Sequence, residues 1–220
     1  MHASPIFGVL SHDVAHLLGG AMLVLSFVLL YQRRLTAMIH VYALQSLVLA
    51  AAAAWQGWAQ GATPLYLVAL IALAAKGVAI PIALRRILDR ANIRHEIETA
   101  LGIFPSIILG LALVALAILV VPPGALRESL AFALSVVLLG MLTMIARRNA
   151  LAQVIGFLSL ENGLILAAVG IEGMPLVAEL SIAVLVLLAC VVCGVCFFRI
   201  RERFDSLDVS HLDRAGEAHR

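Results

Sequence analysis

Long apolar runs alternate with short polar or proline- and glycine-containing breaks along the whole chain. A helix needs about 20 predominantly apolar residues to cross the hydrocarbon core of a bilayer. Runs of that size fall at roughly 14–31, 37–58, 64–84, 101–121, 128–146, 151–171 and 175–198. The breaks are Gln32-Arg33-Arg34, Gln60-Gly61-Ala62-Thr63-Pro64, the charged stretch Arg85 to Thr99, Pro122-Pro123-Gly124, Arg147-Arg148-Asn149 and Gly173-Met174-Pro175. The runs lack the alternation that barrel strands show. This pattern predicts an all-α fold: a polytopic integral membrane bundle of about seven transmembrane helices over residues 1–198, followed by a tail, 199–220.

Composition agrees. Hydrophobic residues make up 63% of the chain and charged residues 13%, against about 45–50% and about 25% in a soluble domain, and the mean hydropathy is +1.08. The placement of charge says more than its sum. Of fifteen basic residues, thirteen follow spans one, three, five and seven; Arg127 lies on the other side and Lys76 inside a span. Lys and Arg accumulate in cytoplasmic loops, so the amino terminus is expected outside and the carboxyl terminus in the cytoplasm. An odd number of spans agrees. No basic patch lies outside these loops, which argues against nucleic acid as a partner. Met1 to Ser11 lacks a positive n-region, so no cleavable signal is expected. The loop Arg85–Thr99 and the tail are too short to bury cores of their own.

Ionisable groups inside the membrane are costly and mark function or tight pairing. Glu161 in the sixth span and Lys76 in the third both fall near the midplane, and Glu179 lies one turn into the seventh. One reading makes them a proton relay, in which moving an ammonium near a buried carboxylate changes its proton affinity. The other is a structural ion pair that holds helices together. Pro81, five residues after Lys76, removes a backbone hydrogen bond and is expected to kink the helix there, freeing a carbonyl near the lysine. Asn162, Gln153, Ser159 and, in the second span, Gln45 supply polar groups able to bond across helices, while Gly163 permits close backbone approach.

Three other constellations carry less. His12, Asp13 and His16 set two imidazoles one turn apart, but a zinc site needs further ligands. His16 and His40 fall near opposite faces and cannot both ligate one haem. Cys190, Cys193 and Cys196 give three thiols on an apolar helix where an iron–sulfur cluster wants four, so they read as packing residues. No metal and no cofactor is expected in this chain, and no catalytic motif appears.

Nearly the whole chain resembles component E of hydrogenase 4 and formate-hydrogenlyase-type membrane complexes. The stretches that carry the resemblance are Tyr42 to Leu49, Lys76-Gly77-Val78-Ala79-Ile80-Pro81, Arg148-Asn149 with Gln153, Gly156-Phe157, Leu160-Glu161-Asn162-Gly163, and Ser206-Leu207-Asp208-Val209. Residues about 128–198 also resemble the three-helix K subunit of complex I and the C subunit of multisubunit cation/proton antiporters, where Glu161 and Glu179 match acidic positions. The resemblance implies a non-catalytic membrane-arm subunit in a bacterial or archaeal cytoplasmic membrane. Its partners would be antiporter-like membrane subunits and hydrogenase-type soluble subunits holding the nickel–iron and iron–sulfur centres. It would contribute to proton or sodium translocation, or else serve as a structural anchor without transport. Many members carry an aspartate a few residues after the second glutamate, where this chain has Val184 and Leu185; the pathway there would be altered, or another subunit would supply the charge. A free-standing seven-helix transporter is less well matched, because paired broken helices in two halves are missing.

Overall fold

The computed structural model describes the backbone of residues 5–90, 102–124 and 127–170 and, within these, the side chains of 13–89, 102, 104–124 and 127–170. Among these residues the structure is helical with short turns and contains no β-strand. The order is α1 (Pro5–Tyr31), α2 (Leu35–Gln60), α3 (Thr63–Ile71), a π-helical segment (Ala72–Ala79), α4 (Ile80–Arg90), α5 (Ile103–Val120), α6 (Arg127–Ala146) and α7 (Ala150–Gly170). Five stretches are long and apolar enough to span a bilayer: Asp13–Tyr31, Leu35–Gln60, Thr63–Asp89, Arg127–Ala146 and Ala150–Gly170. The apolar part of α5, Phe104–Val120, is shorter. The chain is a multi-pass helical membrane protein. The expected seventh span, 175–198, lies outside the described residues.

Two boundaries differ from the sequence expectation. The first helix is already formed at Pro5, so the segment before the apolar run is helical too. The third span runs without a break through α3, the π-helical segment and α4. Pro81 was expected to kink it; just ahead of the proline the turns widen over Ala72–Ala79, and the Ile80 N–H donates to Ala75 O, five residues back.

Short turns make neighbouring helices antiparallel. Gly61 closes α2 with φ 64°, a conformation only glycine adopts without strain, and its N–H caps Gly57 O. Asn149 opens α7, its side chain accepting from the Leu151 N–H at 2.9 Å. Helices α6 and α7 form the tightest pair. A Cβ on Gly140 would lie 2.5 Å from Leu160 N, one on Gly156 2.8 Å from Met144 N, and one on Gly163 2.8 Å from Val137 N. Only bare backbone fits there, and close approach of this kind is how membrane helices gain contact when lipid offers no hydrophobic drive.

Helix α2 is central, packing on α1, on the whole third span and on α7, while α6 bridges α1, α5 and α7. Four hydroxyls in the spans are satisfied within their own helices: Ser26, Ser46, Ser135 and Thr143 each donate to the carbonyl four residues back. Many large apolar side chains, Leu17, Leu67, Ile108 and Leu119 among them, are exposed and suited to face lipid. Aromatic residues mark both ends, with Tyr31 at one and Trp58 and Tyr66 at the other, all more than two-fifths exposed. Arg33, Arg34, Arg85, Arg86, Arg147 and Arg148 gather at the Tyr31 end, where Arg147 reaches Leu30 and Arg85 reaches His40.

Candidate functional site

The middle of α2 carries a polar stripe in an otherwise apolar helix: Tyr42, Gln45 and Ser46, spaced i, i+3 and i+4 and therefore on one face. All three are at most 1% exposed. The stripe faces the middle of α7 and the π-helical segment. Residue 161 falls near the centre of α7 and residue 76 at the centre of Thr63–Asp89, so the charges meet at mid-depth.

Lys76 Nζ stands 3.1 Å from Glu161 Oε2 and donates to Asn162 Oδ1 at 2.9 Å. Lys76 is 1% exposed and Glu161 5%. Asn162 in turn donates from Nδ2 to Gln45 Oε1 and Ser46 Oγ, both at 3.4 Å. Gln45 Nε2 donates to Ser26 Oγ of α1 at 2.9 Å. A single chain of polar contacts thus runs from α1 through α2 and α7 to the third span. A lone charge at this depth would cost several kcal/mol, roughly 2.5–3.5 on insertion scales, so each ion is tolerated because the other is there.

The Lys76 ammonium is shared between a neutral amide oxygen, the closer contact, and the Glu161 carboxylate. The Tyr42 hydroxyl lies beside Ser46 and within electrostatic reach of Glu161, and the Ser159 hydroxyl is buried close by in the same helix as Glu161. An ammonium that touches both an amide oxygen and a carboxylate oxygen needs only a small displacement to alter the ion pair. That is what a mobile charge site requires chemically.

The other residues singled out from the sequence lie elsewhere. Gln153 was grouped with the charged region, but it is exposed near the Arg147–Asn149 turn and donates to Arg147 O at 2.8 Å. Its position in the first turn of α7, two turns before Glu161, puts it there. Pro81 is buried at the start of α4 and makes no polar contact with the pair; its missing N–H leaves the carbonyl of Lys76 or Gly77 without a helical donor, depending on whether the π or the α register is counted. Glu179, Val184, Leu185 and the three cysteines lie outside the described residues. His16 pairs with Glu128 at 2.7 Å across α1 and α6, and among the described residues no three His, Cys, Asp or Glu side chains gather.

Sequence reasoning had not singled out Ser26, Tyr42 or Ser46 as members of the site; the three-residue stripe on α2 was the available signal. Nor had it separated Arg147 from the other loop arginines. Arg147 is 2% exposed, donates to Leu30 O at the carboxyl end of α1 and straps the α6–α7 turn to that helix. Burial, and then the nearby Arg33, hold its guanidinium pKa below the usual arginine range.

The chain is similar to the uncharacterized protein Rv0085 of Mycobacterium tuberculosis, at 30% identity over 201 residues, which is 88% of this chain and 91% of that protein. The chain belongs to the Rv0085 family. No family model matches it, and no solved structure does. Coverage of that extent takes in most of the helical bundle, so the kinship with Rv0085 is one of the whole membrane unit and not of a single helix. Rv0085 is itself uncharacterized, and the kinship brings no activity with it.

Proposed function

We propose that this protein is a non-catalytic membrane-arm subunit of a group 4 [NiFe]-hydrogenase or formate-hydrogenlyase-like complex in a prokaryotic cytoplasmic membrane. It has seven spans with the amino terminus outside, and Lys76 and Glu161 act as stations of a proton (or sodium) relay. The single observation that carries this reading is the 3.1 Å pairing of opposite charges at mid-membrane, inside a four-element polar chain. The arginines at one end of the bundle support the orientation, since that end is the cytoplasmic one by the distribution of basic residues. The resemblance to hydrogenase 4 component E rests on the stretches that hold these same side chains: Tyr42 to Leu49, Lys76 to Pro81 and Leu160 to Gly163. Antiporter-like membrane subunits and hydrogenase-type soluble subunits are the partners this reading requires.

A second reading, a structural anchor without transport, is favoured by the completeness of the hydrogen bonding around Asn162 and by the glycine-lined α6–α7 contact. Glu161→Gln and Glu161→Ala separate the two. A relay predicts that both variants assemble with partner chains but lose proton uptake into membrane vesicles together with coupled hydrogenase turnover. If uptake and turnover survive in Glu161→Gln while assembly is intact, the relay is wrong and hydrogen bonding suffices.

A further inference from the structure

A cavity of about 20 Å³ lies between α1, α2, α6 and α7. A single water needs about 10–15 Å³ of such space. The lining includes Gly19 of α1, Ala52 and Gln56 of α2, Ser129 of α6 and Leu166 of α7. Helical spacing ties this cavity to the charged centre. Counting along α1, Ser26, Met22, Gly19 and Ala15 share one face at steps of four, three and four. Along α2 the same steps run Gln45, Leu49, Ala52, Gln56; along α7 they run Asn162, Leu166, Val169 at four and three. The first member of each series belongs to the polar chain that holds Lys76, and later members line the cavity. Cavity and polar chain therefore occupy one seam between the same helices, about seven residues or ~10 Å apart along α1 and α2.

What separates them is a single apolar layer. Met22 and Leu49 are both 0% exposed and sit on the seam one turn from Ser26 and Gln45. Beyond the cavity, toward the end opposite the arginine-rich turns, the seam becomes polar. Gln60 donates to Val169 O at 3.4 Å. His16 pairs with Glu128, and its ring meets Phe132 edge-on at 6.0 Å, Phe132 being a cavity wall that packs into the space left by Gly19.

We propose that this seam is the route by which water reaches the Lys76–Glu161 pair from the end of the bundle opposite the arginine-rich turns, with Met22 and Leu49 as the dry layer that closes it. The proposal deepens the relay reading, on which its purpose rests: a carboxylate sealed at mid-membrane exchanges protons only if water can reach it from a defined side.

The test is thiol accessibility in the full chain within its own membranes, with Cys190, Cys193 and Cys196 replaced by alanine. Ag⁺, an ion of roughly water size, is applied to right-side-out or inverted vesicles, and unblocked thiols are then counted with a maleimide after denaturation. Ala52→Cys should be blocked at least ten-fold faster than Ala51→Cys, its exposed neighbour at the same depth, and only from the side opposite the arginine-rich turns. Leu49→Cys should react slowly, and adding Met22→Ala should speed it several-fold. Equal rates at positions 51 and 52, or faster blocking of Ala52→Cys from the arginine side, would overturn the route. An unchanged Leu49→Cys rate in the Met22→Ala background would overturn the dry layer. Labelling does not depend on transport: the seam survives if Glu161→Gln pumps normally, and the relay survives if position 52 is sealed.

Discussion

Helix α7 presents two opposite faces to the bundle, and they are held by different physics. One face, Gly156, Leu160 and Gly163, is pressed against α6 at backbone contact distance. The other, Glu161 and Asn162, meets α2 and the third span through charges and amides. The first contact is purely steric and admits no substitute. The second is a set of polar groups with more than one arrangement available, because Asn162 and Glu161 both reach the Lys76 ammonium. A rigid backing behind a rearrangeable polar face suits a helix that holds a mobile charge in place.

The largest effect should come from breaking the steric face. In Gly140→Leu the new Cβ would fall 2.5–2.9 Å from the backbone and Cβ of Leu160, which cannot yield without moving α7. The expected loss exceeds about 5 kcal/mol, beyond the roughly 1–3 of ordinary overpacking because backbone rather than a side-chain end is in the way, read as failure to recover folded protein or as a lowered midpoint in detergent unfolding. Gly20→Leu is the control: nothing lies within 4 Å of its Cβ position, and stability should change by no more than roughly 0.5 kcal/mol. If the two variants behave alike, the α6–α7 contact is not what the geometry describes.

Next comes the polar face. Lys76→Met leaves Glu161 buried with no opposite charge and should cost about 3–5 kcal/mol, whereas Lys76→Met with Glu161→Gln should recover most of it, since an uncompensated ion is worse than no ions. A double-mutant cycle measures this directly. Additive losses would mean that the side chains do not meet.

Much of this was legible from residue order alone. Long apolar runs and the arginine pattern outlined the helices, and depth along each run put Lys76 and Glu161 at the same level. Contact did not follow from depth, because rotation about a helix axis depends on turn geometry. Here the π-helical turns before Pro81 carry Lys76, and no periodicity of an all-apolar segment reports a change of register. Gln153 was misplaced for a related reason: proximity in sequence to Glu161 is not proximity in space once two helical turns intervene. The glycine face was half visible, as Gly156 and Gly163 lie seven apart, but their partner Gly140 sits on a different helix with nothing local to link them.

A smaller effect tests the turn that joins the two faces' supports. Asn149→Ala removes the side-chain oxygen that caps α7 and should lower stability by about 1 kcal/mol, within the 0.5–2 typical of such caps. Asn149→Asp should retain most of it. A loss as large as that of Gly140→Leu would indicate that the turn, not the glycine contact, sets the α6–α7 geometry.

The smallest effect distinguishes a connected polar face from a collection of pairs. Ser26→Ala takes away the oxygen that Gln45 Nε2 bonds at 2.9 Å; interhelical hydrogen bonds in membranes average about 0.6 kcal/mol, so a loss near that size is expected. Gln45 is 1% exposed, so its freed amide is buried, which makes the change in partner rather than the change in energy the informative quantity. If Gln45, Asn162 and Lys76 form one chain, Ser26→Ala should also loosen the amide that Asn162 donates to, and the cost should vanish in a Gln45→Leu background. If the cost of Ser26→Ala is the same in both backgrounds, the serine acts through its own bond to Met22 O, α1 is not part of the site, and the polar face reduces to α2, α7 and the third span.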